Sequence, residues 1–246
     1  ADVDITQQPM EVSPTCHYVM GGVEVDPDSQ QSLVPGLYAV GEVAGGMHGS
    51  NRLGGNSLGD LLVFGRRAGA HAAEYAAGRT ERPAAEESEL ADAERVALAP
   101  FGGDSESGDA SGGENPYTVH QELQKTMQGL VGIIRTGEEL QQALDTLQGF
   151  KQRVAATVVE GNRQYNPGWH LAIDLHNMLL VSECIARAAL ERTESRGGHT
   201  RNDFPQPDEG WGKKNIVCRT EGDGVAITTQ LLPEMPDDLK QLFEEQ

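Results

Sequence analysis

The residues most able to do chemistry lie close together between Pro35 and Gly65, in the segment PGLYAVGEVAGGMHGSNRLGGNSLGDLLVFG. This segment combines a carboxylate, Glu42, with a guanidinium, Arg52, and a glycine-rich helix start at Ser57. A carboxylate accepts hydrogen bonds, and a guanidinium is permanently charged and binds anions through paired N–H donors. The spacing therefore predicts a cofactor or anion site, or one half of such a site.

The helix start is predicted from its capping residues and glycines. Asn56 and Ser57 are both good N-cap residues, and Gly54 and Gly55 allow backbone to approach a ligand closely. Unpaired N–H groups and the positive end of the helix dipole favour an electron-rich group in front of the helix. A structural helix that follows a glycine loop and binds nothing is the alternative.

Four segments of the chain resemble the flavoprotein subunit of succinate dehydrogenase and fumarate reductase. They are PTCHYVMGG at 14–22, PGLYAVGE at 35–42, HGSNRLGGNSL at 48–58 and ESRGGHTRNDFP at 194–205. Four matching segments in the right order are more specific than any one of them. The amino-acid sequence of residues 46–69 is similar to that of actinobacterial members of the family. The resemblance implies FAD as the cofactor and interconversion of succinate and fumarate by hydride transfer. It also implies an iron-sulfur subunit that takes the electrons, and membrane-anchor subunits.

The resemblance implies roles for five residues. His17 and Arg52 would bind the substrate carboxylates, Glu42 would accept hydrogen bonds from FAD hydroxyls, and the backbone of Ser57 and Leu58 would face the isoalloxazine ring. From residue types alone, a hydrogen-bonded core histidine is the favoured interpretation of His17, and Arg52 could equally form a surface salt bridge. No catalytic residue is assigned, because the proton-shuttling arginine of the family has no counterpart in this chain.

A basic glycine turn follows the last long predicted helix. Arg196, His199 and Arg201 place positive charge there, and cations at a helix C-terminus complement its dipole. In the family this segment packs toward the flavin domain. We expect a role in domain docking rather than direct contact with flavin or substrate.

Other parts of the family pattern are missing. No G-x-G-x-x-G follows a predicted strand, so the pyrophosphate-binding unit of a dinucleotide fold has no counterpart, and neither does the histidine that carries flavin covalently. The chain begins with Ala1, and its first matched motif normally lies more than halfway along a family member. We therefore expect the C-terminal portion of a longer flavoprotein, inactive by itself.

Composition restricts the possible partners and location. The formal net charge of −19 argues against nucleic acid, because phosphates would be repelled. No apolar run is long enough to span a bilayer, and three widely spaced cysteines without a CxxC pattern indicate reduced thiols. We expect a cytoplasmic protein held at the cytoplasmic face of the membrane through partner subunits. No metal is expected, because only His170 and Asp174 of the group His170, Asp174 and His176 share a helix face.

The predicted fold class is α/β followed by α. Residues 1–80 are predicted to be the C-terminal part of an FAD-binding domain with the edge of a missing capping domain. They are followed by an acidic linker at 81–115, a helical C-terminal domain at 116–205, and a terminal β-hairpin and tail at 206–246. The linker holds ten acidic residues against two arginines, with a helix predicted over Glu86–Leu98 and a loop over 102–113.

Periodicity predicts the individual elements. A strand is predicted over Leu37–Val40, and a helix from Ser57 to a C-cap at Gly78. In the helical domain the first helix keeps an apolar face, the second begins at a capping box, and the third follows a proline and glycine. The positions concerned are Val119, Leu123, Met127, Leu130 and Ile134; Thr136 and Glu139 with Leu140, Ala143, Leu144 and Leu147; and Leu171, Leu175, Met178, Leu179, Ser182, Ile185 and Ala189 after Pro167 and Gly168. A hairpin is predicted over Asn215–Arg219 and Val225–Gln230, and a short helix over Asp237–Glu244.

Two other functions fit parts of the pattern. An L-aspartate oxidase, a soluble flavoenzyme of the same superfamily, shares the general motifs but is disfavoured by the long region after 205. A non-catalytic interaction domain would use the acidic linker and the helices to dock a partner.

Overall fold

The computed structural model describes residues 3–11, 16–81, 84–102, 113–222 and 224–244. The chain divides into two compact units, Ala1–Ala85 and Glu86–Gln246. Within the described residues, no helix is both long and apolar enough to cross a bilayer.

The first unit consists of loops held by isolated β-bridges, followed by one long helix. The bridges pair Val23 with Ala44, Val25 with Ser32, and Gln31 with Tyr38. The strand predicted over 37–40 is wrong in extent, because only Tyr38 forms a bridge and the chain then enters a 3-10 turn over Gly41–Val43. Gly41 has a φ of +69°, a left-handed conformation that ends the extended segment.

Helix α1 spans Asn56–Ala77 and begins differently from the prediction. Its N-cap is Gly55, with a φ of +87°, a residue that has no side chain with which to cap the helix. Ser57 is therefore the second helical residue rather than the cap, and its hydroxyl accepts a hydrogen bond from Arg52 instead. The predicted C-cap at Gly78 is confirmed.

The second unit is built around three packed helices. They are α3 (Pro116–Leu130), α4 (Gly137–Ala155) and α5 (Pro167–Glu191), preceded by α2 (Glu87–Leu98). Two-residue strands β1 (Ile134–Arg135) and β2 (Thr200–Arg201) pair in parallel, while β3 (Lys214–Glu221) and β4 (Gly224–Leu231) form an antiparallel hairpin ahead of α6 (Asp237–Glu244). The helix predicted in the acidic linker, the hairpin and the terminal helix are confirmed, whereas the loop predicted over 102–113 lies mostly outside the described residues.

The apolar faces predicted for α3, α4 and α5 form one core. Its buried members include Val119 and Leu123 from α3, Leu140 and Leu147 from α4, and Leu175 from α5. Removing such side chains from water contributes roughly 1.5 to 3 kcal/mol each. The core therefore explains why these three helices stay together.

Two local predictions in the second unit have opposite outcomes. The capping box is confirmed, since the Thr136 N–H donates to Glu139 Oε2 at 2.8 Å and the Glu139 N–H donates to Thr136 Oγ1 at 3.3 Å. The assignment of Ile134 to the face of α3 is wrong, because the helix ends at Leu130. Ile134 is 60% exposed and pairs with Thr200 in the β1–β2 ladder, a long-range contact that helical spacing does not reveal.

Candidate functional site

In the first unit, Val23 pairs with residues 43–45 through backbone hydrogen bonds. The Val23 N–H donates to the Val43 carbonyl at 2.7 Å, and the Gly45 N–H donates to the Val23 carbonyl at 2.9 Å. Gly22 is required at this crossing, because a Cβ there would lie 2.7 Å from the backbone nitrogen of Gly45. Two of the motifs that carry the family resemblance are therefore brought side by side.

Glu42 takes part in this pairing. Its Oε1 accepts a hydrogen bond from the Val19 N–H at 3.0 Å. An ionised carboxylate has about four acceptor positions, so one backbone donor leaves acceptor capacity on an exposed side chain. Glu42 thus remains able to accept hydrogen bonds from ligand hydroxyls, as predicted for it.

Arg52 is held at the start of α1 by neutral groups. Its guanidinium lies over the ring of Tyr18, with Cζ 4.6 Å from the ring centroid. Its Nε donates to Ser57 Oγ at 3.1 Å, and its Nη1 donates to Asn51 Oδ1 at 3.3 Å. Since a guanidinium has about five N–H donors, these contacts with the described residues leave most of its donors for an anion.

Sequence reasoning missed a contact between a histidine and an acid, both nearly closed to solvent, next to Tyr18. His48 Nε2 lies 3.2 Å from Asp60 Oδ2, and the two side chains are only 11% and 5% exposed. The His48 ring meets the Tyr18 ring edge-on, with 6.0 Å between centroids. The available signal was Asp60 itself, an acid placed among the leucines of an otherwise apolar helix turn.

The surroundings of Tyr18 raise the pKa of its phenol. Burial raises the pKa of its phenol, and the negative charges of Asp60 and Glu42 raise it further, against an opposing effect of Arg52. The pKa of a free tyrosine is already about 10, so at neutral pH this ring carries a neutral hydroxyl.

His17 stands apart from the contacts that hold Arg52. It is exposed and directly precedes Tyr18 in the chain. Among the described residues, no hydrogen bond, ion pair or ring contact joins His17 to Arg52. The shared role of these two residues toward a substrate therefore stays a prediction.

The start of α1 fits a flat, electron-rich group. Its first turn holds no acidic residue, and a Cβ at Gly54 or Gly55 would meet nothing within 4 Å. Leu58 is 69% exposed beside this opening. Open backbone at the positive end of a helix, next to an apolar side chain, suits one edge and one face of a flavin ring.

In the second unit, the basic glycine turn closes around a buried acid. Glu194 is fully buried; its carboxylate accepts hydrogen bonds from Arg192 Nη1 at 2.6 Å, from Arg196 Nη2 at 3.0 Å and from the Asp208 N–H at 2.8 Å. Burial by itself raises the pKa of Glu194, but these hydrogen bonds outweigh burial and lower the pKa to about 2. The charge of Arg196 is therefore engaged inside this unit.

Arg201 is engaged in the same way. Its side chain is 2% exposed, its Nε and Nη2 donate to Asp203 at 2.7 and 2.6 Å, and its Nη1 donates to the Ala189 carbonyl at 2.9 Å, in the last turn of α5. The predicted interaction of cations with this helix terminus is present. The neighbouring His199 is neutral at pH 7, because burial lowers its pKa and nearby arginines lower it further. A contact of this turn with the flavin domain stays a prediction.

Among the residues that the structure describes, no three His, Cys, Asp or Glu side chains converge as metal ligands would.

Comparison with known proteins gives consistent matches in both units. A family model described as the FAD binding domain matches residues 1–58, and one described as the fumarate reductase flavoprotein C-terminus matches residues 120–239. The succinate dehydrogenase flavoprotein subunit of Coxiella burnetii is 37% identical over 231 residues, which are 89% of this chain and 38% of that protein.

Solved structures agree with these matches. Mycobacterium smegmatis Sdh1 in complex with UQ1 matches with a TM-score of 0.89 and 57% identity, over 99% of this chain and 40% of that chain. E. coli quinol fumarate reductase FrdA matches with a TM-score of 0.84 and 33% identity, over 95% of this chain and 40% of that one. The chain thus spans between 38% and 40% of the length of these three proteins.

Proposed function

The chain belongs to the family of succinate dehydrogenase and fumarate reductase flavoproteins, and from that premise we propose that it forms one side of a site where succinate and fumarate are interconverted. The matches favour this function over an L-aspartate oxidase or a non-catalytic interaction domain. Since the chain spans about two fifths of its relatives, the reaction belongs to the whole protein.

The observation that carries the proposal is the placement of Arg52. Its guanidinium is held by a ring, a hydroxyl and an amide, all of them neutral. A guanidinium with free N–H donors binds a carboxylate through paired, charge-assisted hydrogen bonds. Arg52 would therefore bind one carboxylate of the dicarboxylate, and His17 would contribute to the same substrate.

Three further residues would hold FAD. When bound, FAD accepts the hydride from succinate or returns it to fumarate. The Glu42 carboxylate would accept hydrogen bonds from the hydroxyls of the cofactor, while the backbone at Ser57 and Leu58 would lie against its ring. The partial positive charge at the start of α1 would favour electron density on that edge.

The wider assembly follows from the same family. The electrons would pass to an iron-sulfur subunit, and membrane-anchor subunits would hold the protein at the cytoplasmic face of a membrane. We retain residues 1–80 as the flavin-domain part, 81–115 as a linker, 116–205 as the helical domain and 206–246 as hairpin and tail. The 246 residues alone would neither hold FAD tightly nor turn over succinate.

The proposal is tested by replacing Arg52 in the longest natural polypeptide that contains this chain, purified with flavin bound. We expect Arg52→Ala to lower kcat/KM for succinate and for fumarate by about 100-fold or more, because two hydrogen bonds to a charged group are lost. Flavin content should not change.

Arg67→Ala is the matched control. Arg67 lies on α1 and forms a surface ion pair with Asp28 at 2.8 Å, with side chains 41% and 87% exposed. Its removal should leave turnover within about twofold of the wild type, since surface ion pairs contribute little. Turnover by Arg52→Ala equal to that of this control would contradict the proposal.

A further inference from the structure

We propose that Tyr18 is a positioning residue for Arg52: its ring holds the guanidinium at the start of α1, and its neutral hydroxyl leaves the charge of Arg52 available to a substrate carboxylate. This inference rests on the proposed function and deepens it, because it names how the substrate-binding arginine is held.

The first support is the kind of contact that Arg52 makes. Other arginines of the chain, such as Arg187 and Arg201, are held by carboxylates within 2.7 Å. The described contacts of Arg52 are with the Tyr18 ring, the Ser57 hydroxyl and the Asn51 amide. A ring face attracts a cation without neutralising it, so the arginine is oriented and keeps its full charge.

The second support is that nearby acids have other partners. The Glu42 carboxylate accepts from the Val19 N–H at 3.0 Å, and the Asp60 carboxylate lies 3.2 Å from His48. Their negative charges raise the pKa of Tyr18, with burial as the largest cause. A phenolate beside Arg52 would form an ion pair and compete with a substrate carboxylate. The neutral phenol does not.

The third support is that the Tyr18 ring itself contacts a second ring, that of His48. The His48 ring packs against it edge-on, and the Asp60 carboxylate orients His48 through a contact that is nearly closed to solvent. Asp60 thus contacts His48, His48 contacts Tyr18, and Tyr18 contacts Arg52. Three separate chain segments therefore determine where the guanidinium lies.

The test uses Tyr18→Leu and Tyr18→Phe in the longest natural polypeptide that contains this chain, with flavin bound. Tyr18→Leu removes the ring, and we expect it to raise KM for succinate and Ki for malonate by about 2-fold to 30-fold, with a smaller change in kcat. Tyr18→Phe keeps the ring face, so KM for succinate and Ki for malonate should stay within about twofold of the wild-type values. If Tyr18→Leu does not fold, Tyr18→Met provides the same comparison.

Tyr75→Leu is the matched control. Tyr75 also contacts an arginine, since Arg79 Cζ lies 4.9 Å from its ring centroid in the last turn of α1. Its loss changes stability without touching Arg52, so KM and the malonate Ki should stay at wild-type values.

The outcomes separate this inference from the function on which it rests. Normal malonate binding by Tyr18→Leu, together with loss of binding by Arg52→Ala, would overturn the positioning role and leave the proposed function intact. An equal defect in Tyr18→Phe and Tyr18→Leu would also overturn it, because the hydroxyl and not the ring would then matter. Normal turnover by Arg52→Ala would remove the proposed function and the inference together.

Discussion

Replacing Glu194 with glutamine should destabilise the second unit strongly. The Glu194 carboxylate is fully buried and accepts hydrogen bonds from Arg192, Arg196 and the Asp208 backbone. A neutral amide has one oxygen acceptor and removes the negative charge that Glu194 places beside the guanidinium groups of Arg192 and Arg196. Removing one partner of a buried ion pair is more costly than the pair itself is stabilising.

The size of the effect follows from the lowered pKa. The pKa of Glu194 falls from 4.5 to about 2. At about 1.4 kcal/mol for each pKa unit, this difference corresponds to roughly 3 kcal/mol of stability at neutral pH. Arg196 is 36% exposed, so solvent screens part of its interaction, and we expect a loss of about 2 to 3 kcal/mol.

The sign of the pH dependence is determined by the direction of the shift. Because the folded-state pKa lies below the unfolded value, the folded protein binds fewer protons, and the stabilisation is fully present above pH 4.5. It is lost as the pH falls through the folded pKa of about 2. The difference in unfolding free energy between wild type and Glu194→Gln should therefore be constant from about pH 7 to pH 5 and fall by more than half by about pH 3.

The assay is urea unfolding of the 246-residue chain, followed by tryptophan fluorescence at several pH values. Trp211 reports on this region directly, because its Nε1 donates to Thr193 Oγ1 at 3.0 Å and Arg192 lies over its ring. Glu191→Gln provides the same substitution at an exposed position and should change stability by less than about 0.5 kcal/mol. A stability difference for Glu194→Gln that is small or does not vary with pH would refute the reasoning.

Three further predictions concern local structure and use thermal or urea unfolding monitored by circular dichroism. Thr136→Ala removes the N-cap of α4 and should lower stability by about 1 kcal/mol; an unchanged midpoint would contradict a structural role for the capping box. Leu175→Ala should cost about 2 to 5 kcal/mol because Leu175 is fully buried, whereas Leu180→Ala, at a half-exposed position on the same helix, should cost far less; equal losses would disprove the proposed core. Gly65→Ala should raise stability by about 0.5 to 1 kcal/mol, because Gly65 lies inside α1 and a Cβ at this position would meet nothing within 4 Å. Gly55→Ala should lower stability by about 1 kcal/mol, because Gly55 has a φ of +87°; the opposite order of these two variants would contradict the assigned start of α1.

Local signals in the sequence were enough for most of the second unit. The capping box at Thr136 and Glu139, the proline that opens α5 and the apolar spacing of α3 to α5 all act over one or two helical turns. Such signals are readable from sequence because the interacting groups are three or four residues apart. The hairpin of β3 and β4 was predicted because two strand-like segments flank the short glycine-containing stretch 220–224.

Predictions failed where a contact outside the helical spacing decided the outcome. Ile134 has helical spacing but pairs with Thr200, 66 positions away. Ser57 is a good N-cap residue, but its hydroxyl accepts from Arg52 and the helix begins after Gly55. For Ile134 a long-range strand pairing outweighs the helical spacing, and for Ser57 a hydrogen bond from Arg52, five residues earlier, engages the hydroxyl that would have capped the helix.

The sequence by itself determined the family, the helices of the second unit and the residue types that we propose to bind a dicarboxylate and FAD. Residue types and short spacings carry that information, since capping, periodicity and motif chemistry are local. Only the tertiary structure decided which neutral groups contact Arg52 and which partners Glu42 and Asp60 have instead. Tyr18, the loop that holds His48 and Arg52, and Asp60 on α1 are three separate parts of the chain. Their contacts depend on the backbone pairing of Val23 with residues 43–45 and on the position of α1.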